Sequence, residues 1–247
     1  MDHVAIVTGA GTGIGRAVAA RLAERGSKVI MLGRRRNELE AAAADVQGEV
    51  RIHPGDVRCP EDLQSAVHAG DALGGVNLLI NNAGIMPIAP ASSASLEDWR
   101  DTVDVNVTGA LNAIHAVLPG MQQRGGGHIV NISSVAGQHP FPSASVYSAS
   151  KSALDAISEG LRAEFAAGMK HGGPRIRVTS IAPGAVLTDL TSSIRDEETR
   201  VGTEAYYEAM DQPLTAADVA DAVLFAVEAP NHVCISNLTI RPTAMTR

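Results

Sequence analysis

The stretch Val4–Gly26, VAIVTGAGTGIGRAVAARLAERG, limits the fold more than any other part of this chain. It begins with a continuously apolar, β-branched run that ends at Thr8. A strand apolar on both faces belongs in a parallel sheet covered on both sides. Glycines follow at once, and then an apolar-periodic helix closed by Gly26. This strand–turn–helix order recurs along the chain. KVIML precedes RNELEAAAADV, EVRIHPGDV precedes CPEDLQSAVHAGDA, and VNLLINNAG precedes a long helix within Leu96–Gln123. HIVNISS is a fifth strand, followed by a helix in SASVYSASKSALDAISEGLRAEFA with Ser143 or Ser145 as its cap. IRVTSIAPG is a sixth strand, and a helix near Ala216–Val227 leads to a last strand near Ser236–Arg241. Alternating strands and helices predict an α/β fold. The expected architecture is one doubly wound parallel sheet of about seven strands, with helices on both faces, in a single domain over residues 1–247. The polar stretch from Ala185 to Pro213 is too long for a plain connection and reads as a lid.

Composition narrows the function. A formal charge of -7 leaves no basic footprint for nucleic acid. No apolar run is long enough to span a bilayer, and no secretory leader is visible before VAIVTGAG. Cys59 and Cys234 lie in no CxxC arrangement and read as free thiols of a reducing, cytoplasmic protein. The eight histidines show no ligand spacing, so no metal site is expected. His115 reads as a surface group, and His139 as a loop residue that could border a substrate.

The turn TGAGTGIG, Thr8–Gly15, lies at the carboxyl edge of its sheet, where α/β proteins bind ligands. Gly9, Gly13 and Gly15 permit a tight turn and a close backbone approach. The free N–H groups of the next helix make an anion site suited to a pyrophosphate. The spacing is not that of a P-loop. After the second strand, where an acidic residue would hold ribose hydroxyls, the chain has Gly33 and Arg34. A guanidinium there suits a 2′-phosphate. The expectation is therefore NADP, with NAD left open.

The ordered motifs TGAGTGIG, GDV at Gly55–Val57, NNAG at Asn81–Gly84, DVNVTG around Asn106, NISSVAG around Ser134, YSASK at Tyr147–Lys151 and PGAVLT at Pro183–Thr188 resemble the short-chain dehydrogenase/reductase family in its compact single-domain branch. The resemblance implies a Rossmann-like fold, hydride transfer with NAD(P), and assembly as a homotetramer or homodimer through two long central helices. It implies a catalytic tetrad of Asn106, Ser134, Tyr147 and Lys151. For the cofactor it implies the turn residues Gly9, Thr12, Gly13, Ile14 and Gly15, then Asp56 and Val57, Asn82, Ala83 and Gly84, Tyr147 and Lys151, and Pro183, Gly184 and Thr188. Two departures stand out. Thr12 occupies a position where many NADP-preferring members carry a basic residue, and the common C-terminal DGG is replaced by LTIRPTAMTR.

The chemistry agrees with the residue types. Carbonyl reduction needs a hydride from the cofactor and a proton from the protein. A free phenol, with a pKa of about 10, is a poor proton shuttle until its anion is stabilised. Lys151 stands one helical turn after Tyr147 and on the same face, so its charge favours the phenolate. Ser134 would hold the substrate oxygen, and Asn106 would orient a water relaying protons to Lys151. A ketone or aldehyde reductase, reversible as an alcohol dehydrogenase, is the expected function. The alternatives are a non-catalytic NADP(H)-sensing protein on the same fold and a 3-hydroxy acid dehydrogenase, for which Arg195 or Arg200 in the lid would bind the substrate carboxylate. SSIRDEETR and EAYYEAM are the lid segments expected near the substrate.

Overall fold

The computed structural model describes residues 3–245. Its main sheet is built from β1 (Val4–Thr8), β2 (Lys28–Gly33), β3 (Val50–Pro54), β4 (Leu78–Asn81), β5 (Gly126–Ile132), β6 (Arg175–Pro183) and, last in the chain, β9 (Asn237–Ile240). The seven strands run in the order β3-β2-β1-β4-β5-β6-β9, and every pairing is parallel. The expected Rossmann-like, doubly wound sheet is therefore present as a single domain. The chain leaves β1 in one direction to build β2 and β3, and in the other to build β4 onwards. This change of direction opens a crevice at the carboxyl ends of β1 and β4.

Helices cover both faces. On one side α1 (Gly13–Glu24), α2 (Arg36–Ala44) and α9 (Ala216–Val227) pack on the sheet. There Val18, Leu22, Leu39 and Val223 meet Val7, Met31 and Ile80. On the other side lie α3 (Pro60–Asp71), α5 (Gly109–Gln123) and α7 (Ser145–Met169). Leu63, Ile114, Val117 and Met121 meet Ile6, Leu79 and Ile129 on that face, and Ile157 and Leu161 pack at its edge. The continuously apolar strand sequences are explained by these two layers.

Three local expectations are revised. The helix expected within Leu96–Gln123 is interrupted. After α4 (Leu96–Val103) one wide π turn spans Asp104–Thr108, and α5 follows without a break. Such turns add one residue to a helix and occur often at functional sites. The helix α7 is capped by neither Ser143 nor Ser145. Its N-cap is Ala144, with no side-chain cap, and Ser143 is diverted into a left-handed conformation at φ 68°. The stretch 185–213 is more regular than its polarity suggests. A short strand β7 (Val186–Leu187) pairs with β8 (Leu214–Thr215). Between them lie a 3-10 turn (Asp189–Ser193) and the helix α8 (Glu197–Glu208). The helix α8 has no buried residue, which is why its sequence carries no apolar stripe to read.

Candidate active site

One large cavity, ≈ 1840 Å³, runs along the carboxyl edge of the sheet. Ligand pockets commonly span about 300–1,000 Å³, so there is room for a dinucleotide and a substrate together. Its floor is the glycine turn. Gly9 takes φ 65° and Gly15 packs directly against it, so a Cβ on Gly15 would stand 2.2 Å from the Gly9 carbonyl oxygen. Neither position admits a side chain, and the first turn of α1 is left bare. Asn82 ties this turn to the end of β4. Its amide donates to the carbonyls of Thr8 at 3.0 Å and Gly9 at 3.3 Å. The Thr8 hydroxyl accepts from the backbone N–H groups of Asn82 and Ala83, each at 3.0 Å. The NNAG segment therefore sets the shape of the turn as well as lining the cavity.

At the end beside β2 and β3 the cavity is lined by Gly33, Arg34, Arg35, Glu38, Asp56 and Val57. Asp56 is tied to Arg58, whose guanidinium donates to carboxylate Oδ1 at 3.2 Å and to Oδ2 at 2.7 Å. Burial pushes the Asp56 carboxyl up, but the hydrogen bonds and charge of Arg58, with a pull from Arg34, hold it below the ordinary value. Arg35 pairs with Glu38 at 2.6 Å, whereas Arg34 is exposed on the rim and enters no ion pair among the described residues.

Thr12, Gly13, Ile14, Gly84, Pro183, Gly184 and Thr188 also line the cavity. Gly15 lies just beneath its floor. A Cβ on Gly13 would reach Thr188 Cβ at 3.4 Å. The first turn of α1 and the PGAVLT segment thus face each other across the groove.

Beyond the groove, Ser134, Tyr147 and Lys151 converge. Ser134 follows β5, and its hydroxyl accepts from the Ala136 N–H at 3.1 Å as the cap of the short helix α6 (Val135–Gln138). Tyr147 and Lys151, on the first turns of α7, are only 7% and 5% exposed. The ammonium Nζ lies 5.8 Å from the phenol ring centroid and donates to the Ile132 carbonyl at 2.8 Å. Burial raises the phenol's pKa, outweighing the hydrogen bond from Ser134 that lowers it; the nearby Tyr207 adds to the rise. Burial also draws Lys151 down to about 8, against a smaller upward pull from Asp155. Within the chain alone, burial favours the neutral phenol and brings the ammonium's pKa down to about 8.

Asn106 sits in the π turn. Its amide donates to the Ile85 carbonyl and the Ser150 hydroxyl, each at 3.0 Å, and its Oδ1 accepts from the Ile85 N–H at 2.9 Å. The side chain is thus spent on protein partners. It joins the NNAG loop to α7, and Gly84 leaves room for it: a Cβ there would meet Asn106 Oδ1 at 3.3 Å and Lys151 Nζ at 3.6 Å.

Arg195 and Arg200, in the segment expected to form a lid, occupy other places. Arg195 bonds Asp98, and Asp101 at 3.1 Å. Arg200 bonds Glu197 at 2.6 Å and Glu204 at 2.9 Å. Neither lines the main cavity. Tyr206 and Tyr207, from the expected EAYYEAM segment, do line it, as does His139. The sequence reading missed Gln138, Arg241 and Met245, which also line the cavity. No group of three His, Cys, Asp or Glu residues able to hold a metal occurs among the described residues, and no helix there is long and apolar enough to cross a membrane.

Residues 3–199 match the family model described as short chain dehydrogenase. An uncharacterized oxidoreductase of Staphylococcus aureus (strain MW2) is 36% identical over 243 residues, covering 98% of this chain and 97% of the relative. Among solved structures, the closed form of a serine dehydrogenase complexed with NADP+ superposes with TM-score 0.89 at 32% identity, covering 99% of this chain and 96% of that one. Levodione reductase superposes with TM-score 0.83 at 26% identity, covering 98% and 96%.

Proposed function

The chain belongs to the short-chain dehydrogenase family and is an oxidoreductase acting on CH–OH groups; from that premise we propose that it moves a hydride between NADP(H) and a ketone, aldehyde or secondary alcohol, with Tyr147 as the proton donor and acceptor. The observation that carries this reading is the buried Tyr147–Lys151 pair, with the half-buried Ser134 beside it, opening into the same cavity as the glycine turn. A sensing protein has no use for a desolvated phenol–ammonium pair at that place.

The residues of the groove suit a dinucleotide. Gly9, Thr12, Gly13, Ile14 and Gly15 offer bare backbone to a pyrophosphate. Asp56, Val57, Asn82, Ala83 and Gly84 would hold the adenosine and ribose, and Pro183, Gly184 and Thr188 would hold the reactive ring. Arg34 is the group for a 2′-phosphate. The serine dehydrogenase of similar fold was solved with NADP+, which supports the same choice here. When bound, the cofactor supplies the hydride and takes it back.

The protein's own part is the proton. A neutral phenol beside Ser134 is ready to donate to a substrate oxygen as the hydride arrives, which is the reductive direction. Ser134 holds that oxygen and stabilises its developing charge. Lys151, titrating at about 8, is matched to returning a proton to Tyr147 near neutral pH. Asn106 acts as a positioning residue that fixes the NNAG loop against α7. The segment 185–213 closes over the substrate as a lid, with Tyr206 and Tyr207 among the residues that line the cavity. Assembly through α5 and α7 as a homotetramer or homodimer, in the cytoplasm, completes the proposal.

The test is a panel of ketones, aldehydes and alcohols followed at the nicotinamide absorbance band with NADPH, NADH and their oxidised forms. The expected result is turnover that prefers the phosphorylated cofactor. In the reductive direction kcat/KM should fall as pH rises through about 8, where Lys151 loses its proton. Tight cofactor binding with no turnover of any carbonyl or alcohol favours the sensing alternative.

A further inference from the structure

The cavity has a second polar pole that the proton chemistry does not use. Arg241 follows β9 directly and lines the cavity. It makes no hydrogen bond or ion pair with any described residue. The other cations of the cavity are committed or distant. Lys151 is held by the Ile132 carbonyl. Arg35 is paired with Glu38, and Arg34 stands with them at the end beside β2 and β3.

The topology places Arg241 near the reacting centre. β5, β6 and β9 are adjacent parallel strands whose carboxyl ends face the same way. Ser134 lies just past the end of β5, Gly184 just past β6, and Arg241 just past β9. Neighbouring strands are about 4.8 Å apart, so the backbones of Ser134 and Arg241 are separated by roughly 10 Å across the sheet edge. A Cβ on Gly184 would come within 3.4 Å of the Arg241 Cα and closer still to Met245 Sδ and Pro242 Cδ, so the end of β6 packs directly on the segment that follows β9. Gln138, at the end of the helix that Ser134 caps, reaches Thr239 at 3.5 Å. Thr239 lies on β9, two residues before Arg241. A cavity-lining arginine without an ion partner among the described residues, its backbone at that range from a hydroxyl-binding serine, fits a short molecule with an oxygen at one end and an anion at the other.

We propose that Arg241 is the specificity residue of the site, and that it binds the carboxylate of a short hydroxy or oxo acid whose carbonyl or alcohol oxygen is held by Ser134 and Tyr147. The proposal rests on the reading of those two residues as the oxygen-binding pair. The guanidinium fork matches a carboxylate through two parallel charge-assisted bonds. The lid side of the cavity carries Asp189, Asp196 and Glu198. A second carboxylate on the substrate would meet them, so monocarboxylates are selected over dicarboxylates. This assignment replaces Arg195 and Arg200, whose guanidiniums are already neutralised within the lid and α4.

Two measurements test it. The first compares turnover of 3-hydroxypropionate, 3-hydroxybutyrate and serine with turnover of their methyl esters, for wild type, Arg241→Ala and Arg241→Lys. The expected result is an acid-to-ester ratio of kcat/KM that falls on the order of 100-fold in Arg241→Ala, with part of it restored by Arg241→Lys. An unchanged ratio, with acids and esters losing rate together, gives Arg241 a structural role and overturns the proposal. A rise confined to the KM for NADPH assigns the residue to the cofactor and also overturns it. The second measurement titrates acetoacetate and its methyl ester into NADP+-loaded protein by calorimetry. Tighter binding of the acid, lost in Arg241→Ala, supports the proposal even where turnover is slow; equal binding of acid and ester by wild type rejects it. Should no acid and no ester turn over while acetoacetate still binds through Arg241, the oxidoreductase reading fails and the carboxylate site stands.

Discussion

Replacing Lys151 by methionine should make the protein inactive and, at neutral pH, more stable. Lys151 is 5% exposed, and burial lowers its pKa from 10.5 to about 8. The shift states how much worse the charged form fares inside the protein than in the unfolded chain, and it corresponds to about 3 kcal/mol. The sign follows from proton counting. Below pH 8 the ammonium is protonated in both states, and the whole penalty is present. Between pH 8 and 10.5 the folded protein has released the proton while the unfolded chain retains it. Stability therefore rises with pH across that window. By pH 10 the wild type should have recovered about 2.5 kcal/mol relative to its value at pH 7 from this one group. Lys151→Met lacks the group, so its advantage over wild type should shrink by that amount. All other titrations are common to both proteins and cancel in the difference. The assay is urea unfolding of cofactor-free wild type and Lys151→Met at pH 7, 8.5 and 10, at one protein concentration because subunit assembly alters apparent stability. The hydrogen bond to the Ile132 carbonyl is lost in the variant at every pH, which shifts the offset and leaves the slope. A stability difference that does not change with pH, or that grows with it, refutes the electrostatic reasoning.

Other consequences concern the cofactor. Arg34→Ala should reduce kcat/KM for NADPH by about 10- to 100-fold and leave NADH nearly unchanged; a native preference for NADH in steady-state assays would show that Arg34 does not bind a 2′-phosphate. Gly15→Ala puts a Cβ 2.2 Å from the Gly9 carbonyl, so the turn must open. Cofactor affinity, read by fluorescence titration, should fall at least 10-fold, with a loss of stability of about 1–3 kcal/mol from the imposed strain. Retained affinity would mean that the turn does not carry the pyrophosphate.

The frame of the fold was legible because its strands are apolar on both faces and each is followed by a punctuated turn. The glycine turn and the Tyr147–Lys151 pair could be placed for the same reason, since one lies at a strand–helix junction and the other within one helical turn. What escaped had no periodic signal. The π turn at Asp104–Thr108 inserts one residue into a helix without changing its composition. The helix α8 buries nothing, so EETRVGTEAYYE shows no stripe. Arg195 and Arg200 were plausible carboxylate ligands in a linear reading, but the fold supplies them with Asp98, Asp101, Glu197 and Glu204. Arg241 was visible as the end of the last strand. The signal that could have found it is the parallel topology, which sends that end to the same edge as Ser134. The sequence reading expected Lys151 to favour the phenolate, whereas in the fold burial raises the phenol's pKa, a consequence no linear spacing shows.

The measurement closest to the centre of this account is Tyr147→Phe, which removes one oxygen from a buried ring. NADPH-dependent turnover should fall by 10³-fold or more, of the order expected for losing a positioned general acid, while calorimetric affinity for the cofactor stays within about twofold. A variant that keeps more than a tenth of the wild-type rate would contradict the assignment of Tyr147 as the proton donor.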